Sequence, residues 1–296
     1  MTSDDERPES PPIPASLAEL HRASPDGRAW LKRLPKLVSD LEERWSLTLG
    51  PPFDGPDVST AWVAPVNRAD GSAAVLKVVL PHMEGEHEID GLRFWDGDPT
   101  VRLLDADEAN WAMLLERCEP GTTLRSLPEI EQDVVIAGLL RSLWRRPPVS
   151  NSFRPLSVMI DHWIEETNAH EARWSDPGLV HEGLQLFGEL ANAHQLEDVL
   201  LATDLHAGNV LRAERQPWLV IDPKPFVGDP TYDATQHLVN CEARMHQAPH
   251  ETIARFADLL EVDAERVRLW MFARAAAEPR DEWTSVWMEL ARRLAP

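Results

Sequence analysis

Asp204, Asn209 and Asp222 lie close together in the stretch Val199–Leu238, which reads VLLATDLHAGNVLRAERQPWLVIDPKPFVGDPTYDATQHL. Carboxylates and a carboxamide offer the hard oxygen atoms that suit a divalent cation. An apolar run, Val199–Leu201, leads into a polar loop carrying Asp204, His206 and Asn209. Asn209–Arg212 and Trp218–Ile221 then read as short strands joined through Ala213–Pro217, a turn that brings Asp222 beside the loop. Two acids and an amide gathered in this way could hold divalent cations over a reacting hydroxyl.

Phosphoryl transfer from ATP asks for such a set. It needs an Asp to orient or deprotonate the hydroxyl, an Asn and an Asp on magnesium, and a Lys on the nucleotide phosphates held by a Glu. Asp204 and Asn209 keep the D-x-x-x-x-N spacing of a kinase catalytic loop. Asp222 follows an apolar strand, as a second metal ligand should. Lys77 sits inside the otherwise apolar VLKVV, and Glu88 lies on the next predicted helix, with Glu84 as its nearest rival for the lysine. Taken singly, each has a plainer reading. Asp204 could close a turn, Asp222 could cap a helix with Pro223 at its first position, Lys77 could snorkel from a strand, and Glu88 could be a solvated helix acid. Their common order along the chain favours the chemical reading.

The elements that must position these groups follow from periodicity and punctuation. Met1–Pro14 is acidic and rich in Pro and Ser, which predicts a disordered tail over 1–14. Ser16–Arg22 and Gly27–Trp45 read as helices, the second with a kink or break expected at Pro35. Leu47–Leu49, Thr60–Val66 and Ala73–Leu80 read as strands, with Asp70-Gly71 as a hairpin turn. Glu84–Trp95 reads as a helix, and Val101–Leu104 and Ala112–Leu115 as two further strands. Residues 15–117 thus form an α+β unit ending at the hinge-like CEPG, Cys118–Gly121. Residues 118–296 are mostly helical: Leu127–Arg145, Pro155–Trp174, Gly178–Glu197, Tyr232–His246, Pro249–Glu261, Ala264–Glu278 and Arg280–Leu294.

Composition narrows the partners. A formal charge of -21 argues against nucleic acid and against anionic membrane surfaces, since both need a basic face. The same field could favour a cationic small molecule. The two cysteines, Cys118 and Cys241, form no CxxC and read as reduced thiols of a cytoplasmic protein. The N-terminus has no basic and apolar signal pattern, and no apolar run is long enough to span a membrane. His206 has no paired His or Cys spacing to support zinc and reads as a loop-packing residue.

The chain resembles the aminoglycoside phosphotransferase superfamily, in particular its streptomycin 6-phosphotransferase and hydroxyurea phosphotransferase branch. The resemblance rests on AVLK (Ala74–Lys77), EHE and LRFWDG (Glu86–Glu88, Leu92–Gly97), VRLLD (Val101–Asp105), LLERCEPG (Leu114–Gly121), LLATDLHAGNVL (Leu200–Leu211) and WLVIDPKPFVGDPTYD (Trp218–Asp233). DLHAGN followed by IDPK and GDPxYD, in that order, is the specific signature. The resemblance implies a protein-kinase-like bilobal fold of class α+β, with a small β-rich N-lobe carrying one helix and a larger, mostly helical C-lobe. It implies phosphorylation of a hydroxyl of a small, antibiotic-like acceptor such as streptomycin or hydroxyurea, with ATP and magnesium as cofactors.

Carried onto this sequence, Asp204 is the expected catalytic residue, and Asn209 and Asp222 the expected metal ligands. Lys77 is expected on the α- and β-phosphates, oriented by Glu88. Glu116–Cys118, with Glu116 and Cys118 at its ends, is expected to offer backbone groups to the adenine. Ser59 and Thr60 are weaker candidates for phosphate contact. Acceptor pockets of the superfamily lie in the helical lobe, which makes Asp161, Glu165, Glu166 and Glu242 candidates for holding a cation. Lys224 stays open between a role near the γ-phosphate or acceptor, a surface lysine and a salt bridge to a loop Asp. Asp229 and Asp233 are expected to brace the loop through backbone amides. The sequence departs from the pattern at Ala202, where many relatives carry His, and at FDGPDVST (Phe53–Thr60), which is no glycine-rich phosphate loop. Asp222-Pro223-Lys224 stands where protein kinases have Asp-Phe-Gly, and Pro223 stiffens it. A kinase of an ordinary sugar or amino alcohol, or a nucleotide-binding pseudokinase, remain the alternatives at this level.

Overall fold

The structure is a computed structural model that describes residues 11–55, 60–193 and 198–296. Helices α1 (Ala15–His21) and α2 (Pro25–Arg44) precede strands β1 (Leu47–Leu49), β2 (Ala61–Arg68) and β3 (Ala73–Val79). Then come α3 (Glu88–Trp95), β4 (Leu103–Asp107) and β5 (Ala112–Glu116). Compact packing divides the chain into two units, residues 1–82 with 101–118, and residues 83–100 with 119–296. Helix α3 therefore counts with the larger unit, whereas the sequence had grouped it with the small β-rich one. The tail expected over 1–14 falls outside the described residues up to Ser10; beyond it, the Trp62 indole donates to the Pro12 carbonyl at 3.0 Å.

In the smaller unit the sheet order is β1-β2-β3-β5-β4, every neighbouring pair antiparallel. Alternation explains its core: Trp62, Ala64 and Val66 of β2 and Ala74, Leu76 and Val78 of β3 point to one buried face, packed with Trp30, Leu34, Val38 and Leu41 of α2. That apolar stripe holds α2 as one continuous helix through Pro35, and Ser24 caps it by accepting from the Gly27 amide at 3.0 Å. The break expected at Pro35 does not occur: packing of the stripe outweighs the one hydrogen bond that proline removes. Gly71 takes φ +83° in the β2–β3 turn, and Asp70 accepts from the Ser72 amide at 2.9 Å.

The larger unit continues with α4 (Glu129–Leu143), α5 (Leu156–Ala169) and α6 (Pro177–Asn192). Four short strands follow, β6 (Val199–Leu201), β7 (Val210–Arg212), β8 (Trp218–Val220) and β9 (Phe226–Gly228). The expected hairpin is present as β7 paired with β8, and β6 pairs antiparallel with β9, a strand too short to register as a period in sequence. Helices α7 (Pro230–Asn240), α8 (Glu242–Gln247), α9 (Pro249–Leu260), α10 (Ala264–Ala277) and α11 (Ser285–Leu294) complete the chain. The single helix expected over Tyr232–His246 is two, divided at Cys241. Among the described residues no helix is long and apolar enough to cross a membrane.

Four of these helices meet at one buried carboxylate. Asp133 of α4 lies with its Oδ1 2.8 Å from His237 Nε2 of α7. Arg244 of α8 donates to both its oxygens at 2.8 Å, and Arg255 of α9 donates to Oδ2 at 3.2 Å. Asp133, His237 and Cys241 have the donor types of a metal site and lie within 4.8 Å of one another. Every lone-pair direction of Asp133 is already taken by a nitrogen, so the cluster is a closed ion-pair network. Burial acts to raise the Asp133 carboxyl, but His237 and Arg244 outweigh it and hold it down at about 2. Asp133→Ala would leave Arg244 and Arg255 facing a vacated site, and a loss of about 3–5 kcal/mol is expected in urea unfolding at pH 7. The depressed folded-state value means this contribution is present at neutral pH. It fades as pH falls through the ordinary carboxyl value near 4 towards about 2, so the gap between wild type and variant should narrow over that interval.

Candidate active site

Strand β6 ends at Leu201 and the chain turns sharply. Thr203 takes φ +49°, a left-handed conformation that a β-branched residue adopts only when its surroundings enforce it. The enforcing group is Asp233, buried in the first turn of α7. Its Oδ2 accepts from the Ala202 amide at 3.0 Å and from the Trp144 indole at 3.0 Å, and its Oδ1 accepts from the Thr203 amide at 2.7 Å. The Thr203 hydroxyl in turn donates to the Lys224 carbonyl at 2.6 Å. The Ala202 carbonyl accepts from the Asp204 amide at 2.7 Å and the Lys224 amide at 2.8 Å. Ala202 thus holds its neighbours entirely through backbone atoms.

The next residues close the loop. The His206 ring nitrogen Nδ1 accepts from the Gly208 amide at 3.0 Å and opens the short 3-10 turn Ala207–Asn209. The Asn209 side-chain Nδ2 donates to the Asp204 carbonyl at 3.0 Å and reaches Asp204 Oδ2 at 3.4 Å. That spends the donor end of Asn209 on Asp204 and leaves its carbonyl oxygen as the atom it can offer a cation. The Ile221 amide donates to the Asn209 carbonyl group of the main chain at 2.9 Å, which fixes the strand carrying Asp222 against the loop. Asp222 itself takes φ +53° and begins no helix, so the capping alternative does not apply. Asp229 does cap α7: it accepts from the Thr231 amide at 2.9 Å and the Trp270 indole at 3.0 Å.

Lys224 is buried, with Nζ 2.5 Å from Asp222 Oδ1, which removes the surface-lysine alternative. Burial works to lower its pKa, but the charges of Asp222 and Glu88 overcome this and raise it, so the ammonium is charged. Asp204 shows the reverse balance. Burial, followed by the Asp222 carboxylate, pushes it up to about 7, while Lys224 pulls the other way. The oxygen donors of Asp222, Asn209 and Asp204 fit a hard divalent cation, and the positive charge that Asp222 already attracts shows the electrostatic demand there.

Asp204 and Lys224 open into a cavity of about 310 Å³ lined also by Glu84, Trp163, Glu166, Tyr232, Gln236, Arg274 and Glu278. Of the acids proposed from sequence for the acceptor, Glu166 lines this cavity. Asp161, Glu165 and Glu242 are exposed and are not part of its lining. Glu84, Gln236, Arg274 and Glu278 were not foreseen as cavity residues. Glu84 accepts from the Trp163 indole at 3.2 Å and sits in the loop before α3. The helical period of α10 marks Arg274 only as an anomalous charge among Met271, Phe272, Ala273, Ala275 and Ala276, which is the one signal the sequence offers.

The remaining candidates are placed as follows. Lys77 is buried on β3, in register with Val63 and Met113, on the face opposite Leu76. Glu88 is buried in the first turn of α3. Glu116 ends β5, where its Oε2 accepts from the Arg102 amide at 3.0 Å, and Cys118 is buried just beyond the strand. Thr60 immediately precedes β2 and its carbonyl accepts from the Leu80 amide at 2.8 Å. Ser59 falls outside the described residues.

The model of the aminoglycoside/hydroxyurea antibiotic resistance kinases matches residues 44–281. The chain belongs to this family. A streptomycin 6-kinase from Streptomyces glaucescens is 41% identical over 275 residues, 89% of this chain and 87% of the relative. A hydroxyurea phosphotransferase from Kitasatospora aureofaciens is 37% identical, covering 88% of this chain and 77% of the relative. Among solved structures, an aminoglycoside phosphotransferase, APH(4)-Ia, crystallised with ADP and hygromycin B, aligns with a TM-score of 0.52 at 15% identity, covering 86% of this chain and 94% of that one. The fold is protein-kinase-like, and the chain is a small-molecule phosphotransferase of this antibiotic-resistance family.

The loop's dependence on Asp233 is directly testable. Three donors converge on that carboxylate, and Asp233→Asn would turn an NH2 group towards at least one of them. A donor left unpaired in a buried site costs about 1–3 kcal/mol. Asp233→Asn should therefore lower the thermal unfolding midpoint despite conserving size, and should reduce phosphotransfer more than it reduces stability at the assay temperature.

Proposed function

We propose that the protein transfers the γ-phosphate of ATP, with magnesium, to a hydroxyl of a small antibiotic-like molecule, with streptomycin as the first candidate and hydroxyurea as the second. The observation that carries this reading is the Asp204 carboxylate in the lining of a cavity, with Asn209 and Asp222 held beside it by one loop and one hairpin. A cytoplasmic setting, where ATP is available, goes with it.

The roles follow from the chemistry of each group. The acceptor hydroxyl enters the cavity and donates to Asp204, which orients the oxygen in line with the γ-phosphorus and takes its proton as the new O–P bond forms. The bond between the γ-phosphorus and the β–γ bridging oxygen breaks, and ADP leaves. Asn209 and Asp222 would hold magnesium, which when bound neutralises charge on the phosphate oxygens. Lys77 is assigned to the α- and β-phosphates, with Glu88 as its orienting acid, and the main chain of Glu116–Cys118 to the adenine. Thr60 and Ser59 are retained as candidates for phosphate contact. Lys224 brings a second cation to the cavity beside Asp204, where negative charge on the transferred group is nearest the acceptor.

The cavity also supports a cationic acceptor. Glu84, Glu166, Glu278 and Asp204 line it against Arg274 and Lys224, so acids outnumber bases. Trp163 adds an aromatic face of the kind that favours cations. The relatives' names are those of enzymes acting on streptomycin and hydroxyurea.

The deciding experiment is an ATP-consumption screen with streptomycin, hydroxyurea, a sugar and an amino alcohol, plus a control without acceptor. Streptomycin-dependent ADP release that is lost on chelation of magnesium is the expected result, and turnover restricted to the sugar or amino alcohol would reject the antibiotic reading. Asp204→Ala should lower kcat by several orders of magnitude, on the scale of about 10²–10⁴-fold for loss of a general base. Since only the carboxylate accepts the proton, kcat/KM for ATP should rise with pH through a midpoint near 7. Glu84 is among the charges that raise this value, so Glu84→Gln should move the midpoint to lower pH, as read from the rate–pH profile.

A further inference from the structure

Gln236 is the group that touches the Asp204 carboxylate from the helical side, and its orientation is dictated from behind. Its Nε2 donates to Asp204 Oδ1 at 2.8 Å. Its Oε1 accepts from Arg274 Nη2 at 2.9 Å. Arg274 has only donors, so the amide must face it with oxygen. An ionised Asp204 has only acceptors, so the amide must face it with nitrogen. Both requirements select the same one of the two amide orientations.

Arg274 is itself immobilised. It is 3% exposed. Its Nε and Nη2 donate to Glu278 at 3.1 and 2.7 Å, and its Nη1 donates to the Thr235 hydroxyl at 2.9 Å. The guanidinium also lies 5.6 Å from the Trp163 ring centre and 5.8 Å from that of Tyr232. A group fixed by three polar partners and two rings can transmit a fixed position. The consequence at Asp204 is an inequality between its oxygens. Oδ1 is held by Gln236 at 2.8 Å, while among the described residues Oδ2 has the long 3.4 Å approach of Asn209.

We infer that Gln236 is a positioning residue for phosphotransfer: anchored through Arg274 and Glu278, it pins Asp204 by Oδ1 and thereby presents Oδ2 to the acceptor hydroxyl. This rests on Asp204 being the residue that receives the hydroxyl. Without Gln236 the carboxylate can rotate about its last torsion and lose alignment with the phosphorus, and a misplacement of about 1 Å at a reacting group costs up to about 10²-fold in rate.

Gln236 also lines the cavity, so a direct acceptor contact is the competing role, and a KM-against-kcat split separates the two. The test compares Gln236→Leu, Gln236→Glu and Asp204→Asn with the wild type, using MgATP with streptomycin and, in parallel, basal hydrolysis of ATP by water. Gln236→Leu removes both hydrogen bonds. Gln236→Glu keeps an acceptor for Arg274 and presents a like charge to Asp204, so it decides the matter even if the leucine variant folds poorly. Both variants should lower kcat about tenfold or more, with KM for ATP and acceptor changed less than about twofold. Wild-type kcat in the glutamate variant, or a raised acceptor KM with kcat unchanged, would overturn the proposal. If Asp204→Asn keeps its turnover, the catalytic reading falls and takes this one with it. If Asp204→Asn is inactive while both Gln236 variants turn over normally, the positioning role alone is rejected.

Discussion

A single carboxylate fixes the geometry on which the larger unit's chemistry rests. Asp233 lies buried under the loop that carries Asp204 and fills its two oxygens with two successive backbone amides and an indole. Successive amides can point to one carboxylate only if the chain between them bends, which is how Thr203 comes to hold a left-handed backbone. The cost of that conformation, about 1–2 kcal/mol, is offset by hydrogen bonds to a charged acceptor, each worth about 1.5–3 kcal/mol. Burial still leaves Asp233 with its pKa raised to about 6. The bend turns Asp204 towards the cavity and brings the Lys224 main chain alongside Ala202.

Much of this was legible in the chain. The D-x-x-x-x-N spacing is a local pattern, and the turn Ala207–Asn209 realises it with a hydrogen bond between its two ends. The hairpin carrying Asp222 was legible because β7 and β8 are close in sequence and are joined by a short polar turn. Helix existence was legible wherever an apolar stripe repeats, as along α2, and helix bounds were less so because caps and packing move them by a few residues. Pro35 shows the limit of local rules, since tertiary burial of Trp30, Leu34 and Val38 decided the outcome there.

What was not legible is most of the wall of the cavity. Glu84, Gln236, Arg274 and Glu278 are scattered along the chain, from the loop before α3 to α7 and the end of α10, and no local pattern gathers them into one site. Four surface-like acids on α5 and α8 looked equivalent in sequence, and only the packing of α5 against its neighbours distinguishes Glu166 from Asp161 and Glu165. Lys224 was ambiguous for a similar reason. Its partner Asp222 is only two positions away, but neither the left-handed backbone of Asp222 that sets their approach nor the burial of the pair can be read from spacing. The Asp133 cluster presents the opposite hazard. Its residue types suggest a metal, and the two arginines that satisfy the acid lie far along the chain on α8 and α9.

Ala202, two positions before Asp204, is fully buried. Its amide and carbonyl make three hydrogen bonds to the loop and its surroundings, and its methyl group makes none. A position that acts through its main chain is free to change its letter without changing its geometry. What position 202 demands is a side chain small enough for a buried site, because the bend itself is written in main-chain atoms and in the acid at Asp233 that grips them.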